Sequence, residues 1–290
     1  MRKFIHYNVA LLLCLSLAIT LAAHIKVHLI LNKLDLNIKT IVLGDSRGEG
    51  ICSESILNLC LQGEPKTITA IKLRAVLAQM KKEGLTKPQV IVITGIHHLG
   101  YRPEEHAKGL TYWNSSFNSM FGPFLFESIS NLKNCTLNQI KSGIVGCLKF
   151  KVPNLSHCEN YQHESAKSEL SLDYTQNVVA QTIRMNEAGW FLKNRNPAQK
   201  GIQFIKELAN DYDVECTFVN LPMHQTLKKI AGIEECALAS VNLRNMILGE
   251  APSVAYISVP QLPDSLYLDA NHLNKNGLNH VMHEYLNLGN

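Results

Sequence analysis

The segment Gln89–Thr94, QVIVIT, is the feature of this chain that most restricts its possible fold. Its apolar residues run continuously instead of alternating with polar ones, which indicates a β-strand buried on both faces of a sheet. Similar apolar runs predict further strands at Thr40–Leu43, Cys216–Leu221 and Val254–Val259. Apolar residues at helical spacing predict helices at Ala70–Lys82, Gly201–Tyr212, Glu235–Leu248 and from Asn274 onward. Strands that alternate with helices predict an α/β fold with a parallel sheet between helices.

The N-terminal segment has the composition of a stretch that enters a membrane. Arg2 and Lys3 precede an apolar stretch at residues 4–23. An apolar stretch of about 20 residues after a basic start fits a transmembrane helix or a signal peptide. Leu21 stands where signal peptidase prefers a small residue, which favours an uncleaved anchor over a cleaved signal or a buried soluble helix. We therefore predict a transmembrane anchor at residues 1–32, and a domain at residues 33–290 outside the cytoplasm.

The alternation of strands and helices lapses in the middle of the domain, which predicts an insertion at about 100–196. Its first part is rich in aromatic residues, whereas its later part is polar. Two interpretations remain open. The insertion forms a lid or substrate-binding element, or its aromatic side chains fill a small core of their own.

Composition and charge exclude several classes of protein. A chain of 290 residues, 46% of them hydrophobic, can bury a large core. Its net charge of +4 comes without a basic run, which argues against nucleic-acid binding. No CxxC pair occurs, and we predict that most cysteines are buried, with one or two disulfides within Cys135–Cys158. The 12 histidines match no metal-ligand spacing, so we expect neither a metal nor a cofactor.

The tripeptide Gly44-Asp45-Ser46 directly follows the first predicted strand. Ligands of parallel sheets bind at the carboxyl ends of the strands, so Ser46 is expected at the edge where a site can form. A helix predicted to begin there would direct its N-terminal amides toward negative charge beside the serine. The alternative is a plain turn in which Asp45 or Ser46 only caps the helix.

The segment Leu268-Asp269-Ala270-Asn271-His272 precedes the last predicted helix. An aspartate and a histidine three residues apart in a loop can bring carboxylate and imidazole side by side. The carboxylate then selects the imidazole tautomer that can take a proton from a serine. The alternative is an exposed loop that leads to a helix capped by Asn274, and the two interpretations are compatible.

These two blocks, Gly44-Asp45-Ser46 and Asp269-Ala-Asn-His272-Leu273-Asn274, resemble the first and last blocks of the SGNH (GDSL-like) hydrolase family. The resemblance spans about residues 40–290 and depends on the two blocks and their order. An N-terminal anchor before such a domain is similar to proteins of teichoic-acid D-alanylation and alginate O-acetylation. The resemblance implies a three-layer flavodoxin-like α/β fold without a metal. It also implies Ser46 as nucleophile and His272 as base, oriented by Asp269.

The oxyanion blocks of that family match less closely. Gly63, in Leu61-Gln62-Gly63, is the candidate for the glycine amide of the second block. The third block is normally Gly-x-x-Asn, but this chain has Gly95-Ile96-His97-His98, so His98 stands at the asparagine position. A His98 N–H could donate to the oxyanion or have another role. His224 follows a predicted strand, and it either lines the cleft or lies in a surface loop.

The resemblance implies a serine esterase or O-acyltransferase that forms an acyl-enzyme on Ser46. Its substrate would be an acylated glycan or lipid-linked molecule of the cell envelope, and a membrane-bound acyltransferase would be its partner. Water as the acceptor makes the protein an esterase, whereas a sugar hydroxyl makes it an acyltransferase. The competing hypothesis is a non-catalytic scaffold that keeps the fold to bind envelope glycan or to assist assembly. The altered third block favours the scaffold, whereas Ser46, Asp269 and His272 together favour the enzyme.

Overall fold

The computed structural model describes Ile25, Leu29 and residues 31–34, 36–60, 66–96, 196–249 and 254–288. The chain divides into two compact units. Every element and site described below belongs to the unit formed by Leu36–Arg102 and Pro153–Asn290. Of the other unit, Met1–Asp35 with Pro103–Val152, only Ile25, Leu29 and residues 31–34 are described.

The described residues form a sheet of five strands with helices between them. The strands are β1 Thr40–Leu43, β2 Ile56–Asn58, β3 Gln89–Thr94, β4 Cys216–Asn220 and β5 Val254–Ser258. The helices are α1 Lys66–Glu83, α2 Asn196–Tyr212, α3 Gln225–Ala231, α4 Ile233–Leu248 and α5 Lys275–Leu286. Single turns of 3₁₀ helix follow β1 and β5, at Ser46–Gly48 and Asp264–Leu266.

All neighbouring strands of the sheet are parallel, and their order is β2-β1-β3-β4-β5. The register pairs Val42 of β1 with Ile91 of β3, and Ile91 with Thr217 of β4. Because the strands are parallel, their carboxyl ends share one edge, where the crevices of such sheets bind ligands. The predicted α/β fold with a parallel sheet is therefore confirmed.

Both faces of the sheet are buried. One face shares a hydrophobic cluster with helix α5, and its members include Val42, Ile91, Val219, Leu278 and Val281. Strand residues at the alternate positions point to the opposite face, and they are equally inaccessible, as Ile41, Val92 and Phe218 at 0% exposure show. Helices α1 and α2 pack against each other. Burial on both faces explains why the strand sequences lack polar alternation.

The element boundaries agree closely with the predicted ones. Strands β1 and β3 have the predicted bounds, whereas α2 begins at Asn196 instead of Gly201. Strand β2 and helix α3 were not predicted. At 3 and 7 residues respectively, they are too short to show a periodic pattern.

The prediction of a helix that begins at Ser46 is wrong, because the chain forms only a single 3₁₀ turn there, Ser46–Gly48. Gly48 and Gly50 disfavour a helix. The side chain of Asn58 also draws the chain toward β2, since its Nδ2 donates to the carbonyl of Gly48 at 2.7 Å and of Ile51 at 2.8 Å. The expected stabilisation of the serine by a helix N-terminus therefore does not hold.

Two predicted segments lie mostly outside the residues that the structure describes. The anchor at 1–32 lies outside the described residues except for a few positions after residue 24, and so does the insertion at 100–196 except for Asn196. Across the described stretches, no helix is both long enough and apolar enough to cross a membrane.

The cysteines follow the prediction in part. Cys60, Cys216 and Cys236 are buried thiols outside any disulfide, and burial raises the pKa of Cys216 to about 12. The disulfides predicted within Cys135–Cys158 lie outside the described residues. Cys52 is disulfide-bonded, which was not predicted.

Candidate active site

Ser46 lies just beyond the carboxyl end of β1, where the chain leaves the sheet. Gly44 permits this exit, because a Cβ at position 44 would lie 2.8 Å from the Cβ of Ile93, too close for any side chain. The Asp45 carboxylate then accepts the backbone N–H of Arg47 at 3.1 Å and caps the 3₁₀ turn. Asp45 and Arg47 are buried, whereas Ser46 between them is partly exposed. The turn therefore presents the serine at the carboxyl edge of the sheet.

The hydroxyl of Ser46 meets the imidazole of His272. Ser46 Oγ lies 2.9 Å from His272 Nε2. On the other side of the ring, His272 Nδ1 lies 2.8 Å from Oδ2 and 2.9 Å from Oδ1 of Asp269. A carboxylate can only accept a hydrogen, so the proton is on Nδ1 and the Nε2 lone pair faces the serine. This order of serine, imidazole and carboxylate is the arrangement that activates a serine nucleophile.

The loop itself brings Asp269 and His272 together. Asp269 Oδ1 accepts the backbone N–H of Asn271 at 2.7 Å and of His272 at 2.8 Å. The N–H of Leu268 also donates to the carbonyl of His272 at 2.9 Å, which closes the loop. These bonds orient the carboxylate before it contacts the ring. The side chains of His272 and Asp269 are 21% and 37% exposed, so the pair opens to solvent.

Asn274 joins this loop to the last helix. Its side-chain oxygen accepts the N–H of Gly277 at 2.9 Å, which confirms the predicted helix cap. Its Nδ2 donates to the carbonyl of Ser265 at 2.7 Å, on the far side of the loop. A Cβ at Gly277 would lie 2.2 Å from the carbonyl oxygen of Leu266, so the close packing of helix on loop requires a glycine.

The Asp269 carboxyl is held in its ionised form. Burial on its own raises the pKa of this carboxyl. Hydrogen bonds from the His272 side chain and from the amides of Asn271 and His272, together with electrostatic attraction to His272, lower the pKa by more than burial raises it. The net pKa of Asp269 therefore lies below its ordinary value. An ionised carboxylate is the form that stabilises an imidazolium on the neighbouring ring.

The backbone amide of Ser46 is available as a donor. The amide of Arg47 donates to the Asp45 carboxylate, and that of Gly48 donates to the Asp45 carbonyl at 3.1 Å. Among the described residues, the Ser46 N–H meets no acceptor. An amide beside the nucleophile is a usual donor to the oxyanion of an acyl-transfer reaction.

Arg47 lies directly beneath Ser46, with 1% of its surface exposed. Its guanidinium donates to the carbonyl of Thr94 at the end of β3, and at 3.3 Å to the carbonyl of Leu221 after β4. Nε lies 3.6 Å from Asp45 Oδ1. Burial lowers the pKa of Arg47, while the charge and hydrogen bond of Asp45 oppose the shift. Because arginine keeps its proton in proteins, one buried cation joins the ends of three strands.

The position of Arg47 explains why residue 95 is a glycine. A Cβ at Gly95 would lie 2.1 Å from Nη2 of Arg47, so any other residue would displace the guanidinium. From the sequence, Gly95 is expected in an oxyanion block and Arg47 has no predicted role. A lone arginine after a serine carries no pattern that marks it as buried.

Asn58 is a further residue that sequence analysis missed. Besides its bonds to the carbonyls after Ser46, its Oδ1 accepts the N–H of Cys60 at 2.8 Å. It therefore fixes the segment that follows the nucleophile to the end of β2. An asparagine after a short strand is common, so no signal in the sequence distinguishes it.

Of the other predicted site residues, the structure describes only His224. Gly63 and His98 lie outside the described residues, as does His97. His224 does not lie exposed in a surface loop. It is 5% exposed, and its ring Nδ1 accepts the backbone N–H of Thr226 at 3.2 Å to cap α3. The surface-loop interpretation of His224 is therefore wrong, whereas the cleft interpretation stays a prediction. A histidine after a strand gives no indication in the sequence that its ring caps the next helix.

No protein-family model matches this chain, and no curated protein matches it.

Proposed function

We propose that this protein is an SGNH-type serine esterase or O-acyltransferase that acts on ester or acyl groups of an extracytoplasmic glycan or lipid-linked substrate. The observation that carries the proposal is the contact of Ser46 Oγ with His272 Nε2 at 2.9 Å, with Asp269 on the opposite ring nitrogen. A binding scaffold has no need for a serine, a neutral imidazole and an ionised carboxylate in hydrogen-bonded sequence.

The proposed reaction has two steps that use the same three side chains. Ser46 Oγ attacks the acyl carbon while its proton passes to His272 Nε2, and Asp269 stabilises the imidazolium that forms. The proton then moves to the leaving oxygen, and the acyl group remains on Ser46. In the second step His272 takes a proton from the acceptor, water or a sugar hydroxyl, whose oxygen attacks the acyl carbon. The bond from the acyl carbon to Ser46 Oγ then breaks, and the proton on His272 returns to that oxygen.

The oxyanion of each step requires hydrogen-bond donors. The Ser46 N–H, which meets no acceptor in the described part of the chain, is the proposed first donor. Gly63 and His98 are proposed as the other two, on the strength of the family resemblance. Arg47 is too deeply buried to touch a substrate, and we assign it the support of the turn.

The fold and the cysteine chemistry support the finer parts of the proposal. The strand order β2-β1-β3-β4-β5 is that of flavodoxin-like folds, as the SGNH resemblance implies for a three-layer arrangement. The disulfide at Cys52 supports an oxidising compartment outside the cytoplasm. Together with the apolar N-terminal segment, it favours a membrane-anchored protein of the cell envelope, working beside a membrane-bound acyltransferase.

A fluorophosphonate probe tests the proposal without knowledge of the substrate. Full-length protein in detergent is incubated with the probe, and the labelled residue is identified by mass spectrometry. We expect covalent labelling at Ser46 that is lost in Ser46→Ala and His272→Ala. Ser265→Ala, which removes an exposed serine from the loop that carries His272, is the matched control and should label as the wild type does. Folded wild-type protein without label at Ser46 would leave the scaffold hypothesis in its place.

Transfer is separated from hydrolysis by the acceptor. An aryl acetate is supplied with and without oligosaccharide acceptors, and both aryl release and sugar acetylation are measured. An acyltransferase should acetylate the sugar and release the aryl group faster when the acceptor is present. Rapid aryl release without any modified sugar identifies an esterase.

A further inference from the structure

His224 connects the end of β4 to the loop Asp264–Asn274, which we call the His272 loop. The backbone N–H of His224 donates to the carbonyl of Ala270 at 2.9 Å. Its ring Nε2 lies 3.0 Å from Oδ1 of Asp264. The ring also meets Tyr267 edge to face, with 5.1 Å between the ring centroids. His224 thus contacts the His272 loop at three points: at Asp264, at Tyr267 and at Ala270, which is next to Asp269.

The hydrogen bonds of His224 define its tautomer. Nδ1 accepts the N–H of Thr226, so Nδ1 carries no proton and the proton of the neutral ring is on Nε2, facing Asp264. His272 has the opposite arrangement, because its Nδ1 donates to Asp269 and its Nε2 is left to accept from Ser46. The lone pair of His224 is committed to a backbone amide, so this imidazole is unsuited to proton transfer.

The path of the His272 loop shows why a support at this place matters. In the sheet, β4 and β3 separate β5 from β1. The loop leaves β5 and must return across the ends of these two strands to bring His272 to Ser46. His224, in the segment between β4 and α3, contacts the loop on this crossing.

We propose that His224 is a positioning residue for His272, a ring fixed as the Nε2–H tautomer that holds the His272 loop against the end of β4. The kinetic consequence rests on the proposed function, whereas the structural claim does not. A loop that is free to shift would move His272 Nε2 away from Ser46 Oγ, and displacements of about 1 Å can cost on the order of 10²-fold in rate.

Substitutions separate the contacts of His224. His224→Asn keeps an oxygen near the position of Nδ1 and can still cap α3, but it cannot reach Asp264. Asp264→Ala removes the acceptor, whereas Asp264→Asn retains an oxygen that accepts the Nε2–H. Asp211→Ala removes an exposed aspartate of α2 and is the matched control.

The first readout is the rate of fluorophosphonate labelling of full-length protein, compared with the thermal unfolding midpoint of each variant. We expect His224→Asn and Asp264→Ala to lower the labelling rate roughly 10- to 100-fold. The double variant, His224→Asn with Asp264→Ala, should label no more slowly than the slower single variant, because both substitutions remove the same contact between His224 and Asp264. Asp264→Asn and Asp211→Ala should label at the wild-type rate. If His224→Asn and Asp264→Ala change only the unfolding midpoint, the positioning role is refuted.

The second readout does not depend on activity. Full-length protein with ¹⁵N-labelled histidine is studied by NMR, and the ring signals of His272 are assigned from their loss in His272→Ala. In the wild type, Nδ1 of His272 should be the protonated nitrogen. In His224→Asn and Asp264→Ala the Nδ1 of His272 should stay protonated, because Asp269 belongs to the same loop, whereas the Nε2 signal should move as its hydrogen bond from Ser46 Oγ is lost. Unchanged His272 shifts would overturn the inference, even if the wild-type protein is never labelled and the proposed function fails.

Discussion

His272 Nε2 lies 2.9 Å from Ser46 Oγ, although 226 positions separate the two residues in the sequence. The serine belongs to the turn after β1, and the histidine to the loop before α5. The first segment is fixed by Arg47, and the second by His224, by Asn274 and by its internal hydrogen bonds. The contact therefore depends on two supported segments that meet, and this leads to specific expectations for variants.

Ser46 and His272 should behave as one functional unit. Ser46→Ala and His272→Ala are each expected to reduce turnover by on the order of 10⁴-fold or more, because neither group activates the reaction without the other. The double variant should be hardly slower than either single variant. Turnover of an aryl ester by the three variants checks this. Losses that multiply in the double variant would show that the two residues act separately.

Asp269→Asn should preserve the fold but lose much of the rate. The amide can place an N–H toward His272 Nδ1, which moves the ring proton to Nε2 and removes the lone pair that faces Ser46. A loss of about 10⁴-fold in turnover is expected from this change of tautomer. The circular dichroism spectrum should match that of the wild type. A variant with nearly full activity would mean that Asp269 does not select the tautomer.

Asp269 should also make stability depend on pH in the acid range. Its pKa is lowered in the folded protein, so its contribution is complete above the ordinary carboxyl pKa of about 4 and is lost as the pH falls through the lowered value. The difference in unfolding midpoint between wild type and Asp269→Asn should be constant near neutral pH and should narrow in acid. Thermal unfolding between pH 7 and pH 2 measures it. A difference that widens in acid would contradict the sign of the shift.

Arg47 and Gly95 should be energetically coupled. Gly95→Ala places a methyl group 2.1 Å from Nη2 of Arg47 and should destabilise the fold. Arg47→Ala leaves Asp45 and two carbonyls without their buried cation, at an expected cost of about 3–5 kcal/mol. In the Arg47→Ala background, the alanine at position 95 should cost far less, because the atom that it meets is gone. Urea unfolding of the three variants gives the coupling, and strictly additive costs would disprove it.

The location of the domain is testable with a fusion at the C-terminus. If residues 4–23 anchor the protein, it should stay in the membrane fraction after alkaline carbonate extraction. A reporter that is active only outside the cytoplasm should be active when fused after Asn290. Activity of a cytosolic reporter at the same position would contradict the proposed location, because envelope substrates would then be out of reach.

The sheet and the catalytic candidates could be predicted because their signals are local. Four of the five strands have short apolar runs, and Asp269 and His272 are close enough in the sequence to suggest a pair. The meeting of His272 with Ser46 followed only from the family resemblance, since no local pattern specifies a contact over that separation.

The supporting residues could not be predicted, because their roles depend on the tertiary structure. Arg47 and His224 are polar residues that closely follow predicted strands, and both are buried. Arg47 donates to carbonyls at the ends of two other strands, and the ring of His224 meets the carboxylate of Asp264 in a distant loop. Only the fold brings those groups together. The absence of a helix after Ser46 has a similar origin, since Asn58 of the next strand redirects the chain.

The separation of Ser46 from His272 also orders events during synthesis. The nucleophile leaves the ribosome 226 residues ahead of its base, a delay of roughly 10–45 s at typical rates of elongation. Until the His272 loop docks on the ends of β4 and β1, Ser46 is an ordinary hydroxyl. If Ser46 is the nucleophile that we propose, a chain that is still being made therefore carries no activated serine and cannot react with acyl groups before its domain is complete.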